Sequence, residues 1–171
     1  MSNKKSSRII ETKPYIIWDI LEKFLPQEWL FSFYPPYLTS GIRITKVSKD
    51  YKFIRVEMNL SFYNRNYVGS HFGGSLFAMT DPFYMLMFLK NLGKDYIVWD
   101  KKACIEFIKA TSDDVYAEFI ITDEVINQIK EELSHKRSME KTFNVLIKTK
   151  SNQEIVAKVD KILYFRRLNK T

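Results

Sequence analysis

Apolar residues recur along this chain with two different periods, and the points where the period changes divide it into elements. Ile16, Ile17, Ile20, Leu21 and Phe24 fall at helical spacing behind Pro14, a favourable first helical residue, and predict a short helix ending before Pro26. The Tyr34-Pro35-Pro36-Tyr37 stretch predicts a corner that breaks the chain. Residues 41–47 and 51–60 are β-branched, partly alternating runs separated by Ser48-Lys49-Asp50, which predicts an antiparallel hairpin. Residues 96–110 and 115–122 read as two further strands. Thr122 and Asp123 then offer an N-cap to an amphipathic helix marked by Val125, Ile126, Ile129 and Leu133. Runs 139–150 and 154–166 close the chain as a hairpin across Ser151-Asn152-Gln153.

The middle of the chain is different. From Ser75 to Leu89 the polar groups are Ser75, Thr80, Asp81 and the Tyr84 hydroxyl, so no solvent face can be drawn and the helix predicted there must be enclosed by protein. The apolar run is shorter than the ~20 residues a bilayer requires and carries Asp81-Pro82 at its centre, so a membrane span is not expected. A charge in such a helix is costly unless it is paired, hydrogen-bonded or protonated, which singles out Asp81. The helix is expected to stop near Gly93. About six strands, one enclosed helix and two peripheral helices predict an α+β domain with a sheet curled round the helix. That domain occupies residues 14–171, behind a polar, basic and mobile tail at 1–13.

Composition narrows the chemistry. A single cysteine, Cys104, excludes an intrachain disulfide, and with two histidines it supplies no zinc-ligand spacing, so no metal is expected. Cys104 reads as a small buried hydrophobe in an apolar strand. The net charge of +7 suits a phosphate-bearing partner or, equally, a lysine-rich solvated surface. No nucleic-acid-reading signature accompanies it, so nucleic acid is not an expected partner. Met1 to Lys13 has cations but no apolar stretch behind them, which predicts a cytoplasmic protein.

Two patches carry a family resemblance. Asn66-x-x-Gly69-Ser70-x-x-Gly73-Gly74, with Asp81 seven residues further on, resembles the helix-entry motif of hot-dog fold acyl-CoA thioesterases. The run Asp100 to Thr111, with Asp113-Asp114 following, is similar to a strand and turn of the same superfamily. More narrowly, Gly69 to Gly74 with Asp81-Pro82 resembles a subfamily of hot-dog proteins, many without an assigned reaction. The resemblance covers roughly Tyr37 to Leu168 and implies the hot-dog fold, an antiparallel sheet wrapped round a long central helix. The chain departs from the family where Phe72 stands directly before the glycine pair in place of histidine, and where Pro82 follows Asp81.

What the resemblance implies about chemistry is specific. Asp81 would be nucleophile or general base, Gly73 or Gly74 would give a backbone N–H to the oxyanion, and Asn66 would position substrate or water. Ser70, His71, Phe72, Lys101 and Lys102 would contact an acyl-CoA, whose coenzyme A is part of the substrate; no separate cofactor is expected. Lys90, Lys94, Arg166 and Arg167 are further candidates for the phosphates. Seven helical residues advance about 10 Å, so one helix cannot bring both its glycines and Asp81 to one thioester. Two antiparallel helices related by a two-fold axis can, which predicts a homodimer with composite sites, paired further into a dimer of dimers. The alternatives are structural: Asp81 as a satisfied core carboxylate, Asn66 as a turn-maker, the glycines for close packing and His71 as a loop residue. Tyr63, Phe83, Met85, Met87 and Phe88 would line an acyl tunnel or fill a plain core. A protein that binds an acyl ligand without turning it over fits the same residues.

Overall fold

A strand that alternates apolar and polar side chains has one face to bury, and six such strands here bury theirs together. They are β1 (Ile42–Val47), β2 (Phe53–Met58), β3 (Tyr96–Phe107), β4 (Val115–Ile120), β5 (Ser138–Thr149) and β6 (Ile155–Arg167). The computed structural model describes residue 21 and residues 23–168, without the side chain of Gln27. The predicted tail and most of the helix behind Pro14 lie outside the described residues. The end of that helix is described, where the Leu25 N–H donates to the Leu21 carbonyl at 3.0 Å.

The strands form one antiparallel sheet in the order β1-β2-β4-β5-β6-β3. Both predicted hairpins are present. β3 and β4, consecutive in sequence, are not neighbours: the chain between them passes the start of β6, where the Ile108 and Lys109 N–H groups donate to the Val156 carbonyl. β3 therefore lies at one edge and β4 near the middle. Its register shifts between Asp100 and Lys102, a bulge at Lys101. Val98 and Asp100 face inward before the bulge, and Ala103, Ile105 and Phe107 after it, paired with inward residues of β6. The same change of phase turns Cys104 outward. It is exposed, not buried as its apolar surroundings in sequence implied.

The enclosed helix lies on the inner face. It runs from Gly73 to Leu92 in two pieces, α3 (Gly73–Ala78) and α4 (Phe83–Leu92), and ends at Gly93 as expected. Proline disfavours helical angles in the residue before it and has no N–H of its own, so the ladder stops at Asp81-Pro82. The Thr80 and Asp81 N–H groups close tight turns on Phe77 and Ala78, and the Pro82 carbonyl accepts the Leu86 N–H to restart the helix. The Asp81-Pro82 bond is cis. Phe83, Met87 and Phe88 are buried, with Phe88 edge-on to Phe165 and Phe83 against Phe119, so the plain-core reading holds for them. Tyr63 is exposed in the loop and Met85 is partly buried.

The corner expected at Tyr34-Pro35-Pro36-Tyr37 is instead the start of a helix. Pro35 and Pro36 take the first helical positions, where a missing N–H costs nothing, giving α2 (Pro35–Ser40). It follows α1 (Gln27–Ser32), which packs on β1 and satisfies part of that edge: Ser32 Oγ accepts from Ile44 N–H at 3.0 Å and Glu28 Oε1 from Val47 N–H at 3.2 Å. The predicted amphipathic helix is α5 (Asp123–His135), capped by Thr122 Oγ1 and buried through Ile126, Ile129 and Leu133. No helix among the described residues is long and apolar enough to cross a membrane.

Candidate active site

The break between α3 and α4 brings Asp81 to the surface. Its side chain is 53% exposed, so Asp81 is not the enclosed carboxylate that an uninterrupted apolar helix implied. One oxygen, Oδ1, accepts a 2.6 Å hydrogen bond from Lys161 Nζ. Lys161 is 1% exposed and belongs to the inward row of β6, between Val159 and Leu163. Its ammonium also lies 3.2 Å from Asp100 Oδ1 and over the Phe77 ring at 6.0 Å. Both Asp100 oxygens are buried without a hydrogen-bond partner, and burial pushes this carboxyl above the usual carboxylate range while Lys161 pulls it back. On the other side, Tyr37 of α2 donates its hydroxyl to the Asp81 carbonyl. Burial, reinforced by the Asp81 charge, raises the Tyr37 phenol above its ordinary value.

The glycine pair opens α3. Among the described residues, no hydrogen bond uses the N–H of Gly73 or Gly74, as expected of a first helical turn. Two half-exposed rings lie against them: a Cβ on Gly73 would stand 2.9 Å from Phe107 Cζ, and one on Gly74 would overlap the Phe72 ring. The close-packing role is thus real, and the same rings leave an apolar wall beside two free donors. Gly73 opens α3 and Asp81 lies three residues beyond its last residue, Ala78, so the rise of about 8 Å along α3 stands between them and within one chain they are not brought together.

The loop before α3 is spent on its own architecture. Asn66 Oδ1 accepts from the Val68 and Ser70 N–H groups, and its Nδ2 donates to Ser70 Oγ at 2.8 Å and to the His71 carbonyl at 3.2 Å. The turn-making role of Asn66 is realised. His71 is buried with Nε2 2.9 Å from the Asp113 carbonyl, which assigns the proton to Nε2 and leaves Nδ1 unpartnered. Burial lowers its pKa below the ordinary histidine value. Lys101, at the bulge, pairs with Glu140 on the outer face of the sheet, away from Asp81. Lys102 is exposed beside it, whereas Arg166 and Arg167 lie four and five strand positions further along, about 14 and 17 Å away. The six candidate cations do not form one cluster.

Lys161 went unmarked in the sequence, and Asp100 entered only as part of a motif. A signal for the lysine existed: in Ala157-x-Val159-x-Lys161-x-Leu163-x-Phe165 it occupies an inward position of an otherwise apolar row. Among the described residues no group of acidic, histidine or cysteine side chains could hold a metal.

A family model described as a domain of unknown function, DUF4442, matches residues 26–164. No curated protein matches the sequence. Solved structures do match. A Pseudomonas aeruginosa protein of unknown function, termed a probable thioesterase, superposes with a TM-score of 0.74 at 20% identity over 84% of this chain and 97% of its own. A thioesterase from Haemophilus influenzae gives 0.60 at 15% identity over 82% and 88%. A Streptococcus mutans protein bound to acetyl-CoA gives 0.52 at 16% identity over 75% and 91%. These likenesses establish the hot-dog fold.

Proposed function

We propose that this chain, which belongs to the DUF4442 family, hydrolyses acyl-CoA thioesters at a composite site between two copies of itself. The observation that carries the proposal is Asp81: a half-exposed carboxylate surfacing at a break in an otherwise enclosed helix, with one oxygen held by Lys161. Thioester hydrolysis needs a base for water and donors for the oxyanion. Asp81 takes a proton from water as the water oxygen bonds to the thioester carbon. Gly73 or Gly74 N–H of the second copy meets the carbonyl oxygen as it becomes negative. Collapse of the tetrahedral intermediate breaks the carbon–sulfur bond, and the departing thiolate takes the proton back from Asp81.

The rise of about 8 Å along α3, which lies between the glycines and Asp81, calls for the second copy. Exposed Phe62, Tyr63, Tyr67 and Val68 in the loop before α3 favour an apolar contact there. A dimer of dimers is the assembly we expect, in the cytoplasm. Ser70, His71 and Phe72 lie beside the glycines to shape the entrance, with Asn66 holding that loop. Thiol release from a panel of acyl-CoAs, with Asp81→Asn as the control, tests the reading. A rate lower by a factor of about 100 or more is expected for the variant; equal rates refute it, as does a monomer in sedimentation at micromolar concentration. The full use of the Asn66 amide by its own loop favours a second reading, a protein that binds an acyl ligand without turnover. Stoichiometric binding with no thiol release identifies that case.

A further inference from the structure

An inward position on a central strand is the least favourable place for a lysine. Replacing a buried ion pair by apolar residues of similar volume is often neutral or stabilising, so packing alone does not call for Lys161 where its row neighbours are Val159 and Leu163. Its geometry points to another reason. The ammonium is held from behind by Asp100 on β3 and directed forward at one oxygen of Asp81, the half-exposed group at the helix break. The groups facing Asp81 come from three elements: Lys161 from β6, Asp100 from β3, and the Tyr37 hydroxyl from α2, which is engaged with the Asp81 backbone.

We propose that Lys161 is the positioning residue of this site: anchored by Asp100, it fixes Asp81 Oδ1 so that Oδ2 faces the substrate side. The proposal rests on the reading of Asp81 as the base. It adds that the base is aimed from inside the core by a charge that never meets substrate. A carboxylate free to rotate about its side-chain bonds loses near-attack geometry, and misplacement on the ångström scale costs orders of magnitude in rate.

The loss of position is measurable, and one readout needs no catalysis. With the full chain labelled at the aspartate carboxyl carbons, the shift and relaxation of the Asp81 signal at neutral pH are compared in wild type, in Lys161→Met and in Lys161→Met/Asp100→Asn. The double variant removes the buried charge as a pair and keeps the test available if the single variant fails to fold. We expect the Asp81 signal in both variants to move toward that of a solvated aspartate and its relaxation to report faster side-chain motion. In thiol-release kinetics, kcat falls about tenfold or more while KM changes by less than about threefold. An Asp81 signal and a kcat both unchanged from wild type in the folded double variant overturn the proposal. A wild type that releases no thiol, yet shows the altered Asp81 signal in the variants, removes the hydrolase reading and leaves the Lys161 to Asp81 link standing.

Discussion

Lys161→Met should make stability depend on pH in a way the wild type does not. Asp81 is half exposed, so losing its partner costs it little; water replaces the ammonium. Asp100 is different. Its side chain is 18% exposed, faces the core, and has Lys161 as its counter-charge. In the variant it must take up a proton to remain buried. The unfolded chain, with an ordinary carboxylate pKa of about 3.9, has none bound at neutral pH. Folding then carries an uptake cost of about 1.4 kcal/mol for each pH unit above that value, to a ceiling of about 4 kcal/mol at pH 7. The sign follows from linkage: the folded variant binds more protons than the unfolded one, so stability falls as pH rises. Near pH 4 the cost vanishes, and the variant should match or exceed wild type because a buried ammonium has been removed. Wild type feels the same burial of Asp100 with Lys161 opposing it, so its slope is smaller. Urea unfolding at intervals from pH 4 to pH 7 reads this directly. Lys161→Met/Asp100→Asn should abolish the excess slope. Parallel stability curves for Lys161→Met and wild type would refute the reasoning, since Asp100 would then not depend on the lysine.

Gly74→Ala adds a Cβ where the Phe72 ring now lies, so the half-exposed ring must swing away. Helix propensity returns up to about 1 kcal/mol, leaving stability within about 1 kcal/mol of wild type, while kcat/KM should fall about tenfold or more; unchanged turnover would leave the glycine a packing role alone. His71→Gln tests the buried imidazole. Because burial holds the folded pKa below the unfolded one, wild type should lose stability as pH drops below about 6.5, and the variant should lose that component; urea midpoints at pH 7 and pH 5.5 compare them.

Most of the sheet could be read in the sequence because its signal is local. Alternation in 42–47, 115–120 and 155–167 marks a face, and short polar links mark the hairpins. The Thr122 cap and the Ile126, Ile129 and Leu133 stripe were equally plain. Pro35-Pro36 was not, since two prolines open a helix as readily as they end one and what decides is the contact of α1 and α2 with the edge of β1. The break at Asp81-Pro82 was foreshadowed by proline chemistry, but enclosure was inferred from composition, and composition does not say that the interruption brings one acid out to solvent. Lys161 escaped because its partners are 80 and 61 residues distant in the chain. A lysine in a strand also reads as solvated until the phase of the whole row is known.

The extra residue at Lys101 works as a phase shifter within a single strand. Without it, a strict two-residue alternation that turns Asp100 inward would turn Phe107 outward. With it, one edge strand delivers an acid to the back of Lys161 at one end and an aromatic cover to Gly73 at the other. Deleting Lys101 should therefore decouple the two ends of the helix from a common scaffold, even though the lysine itself touches neither.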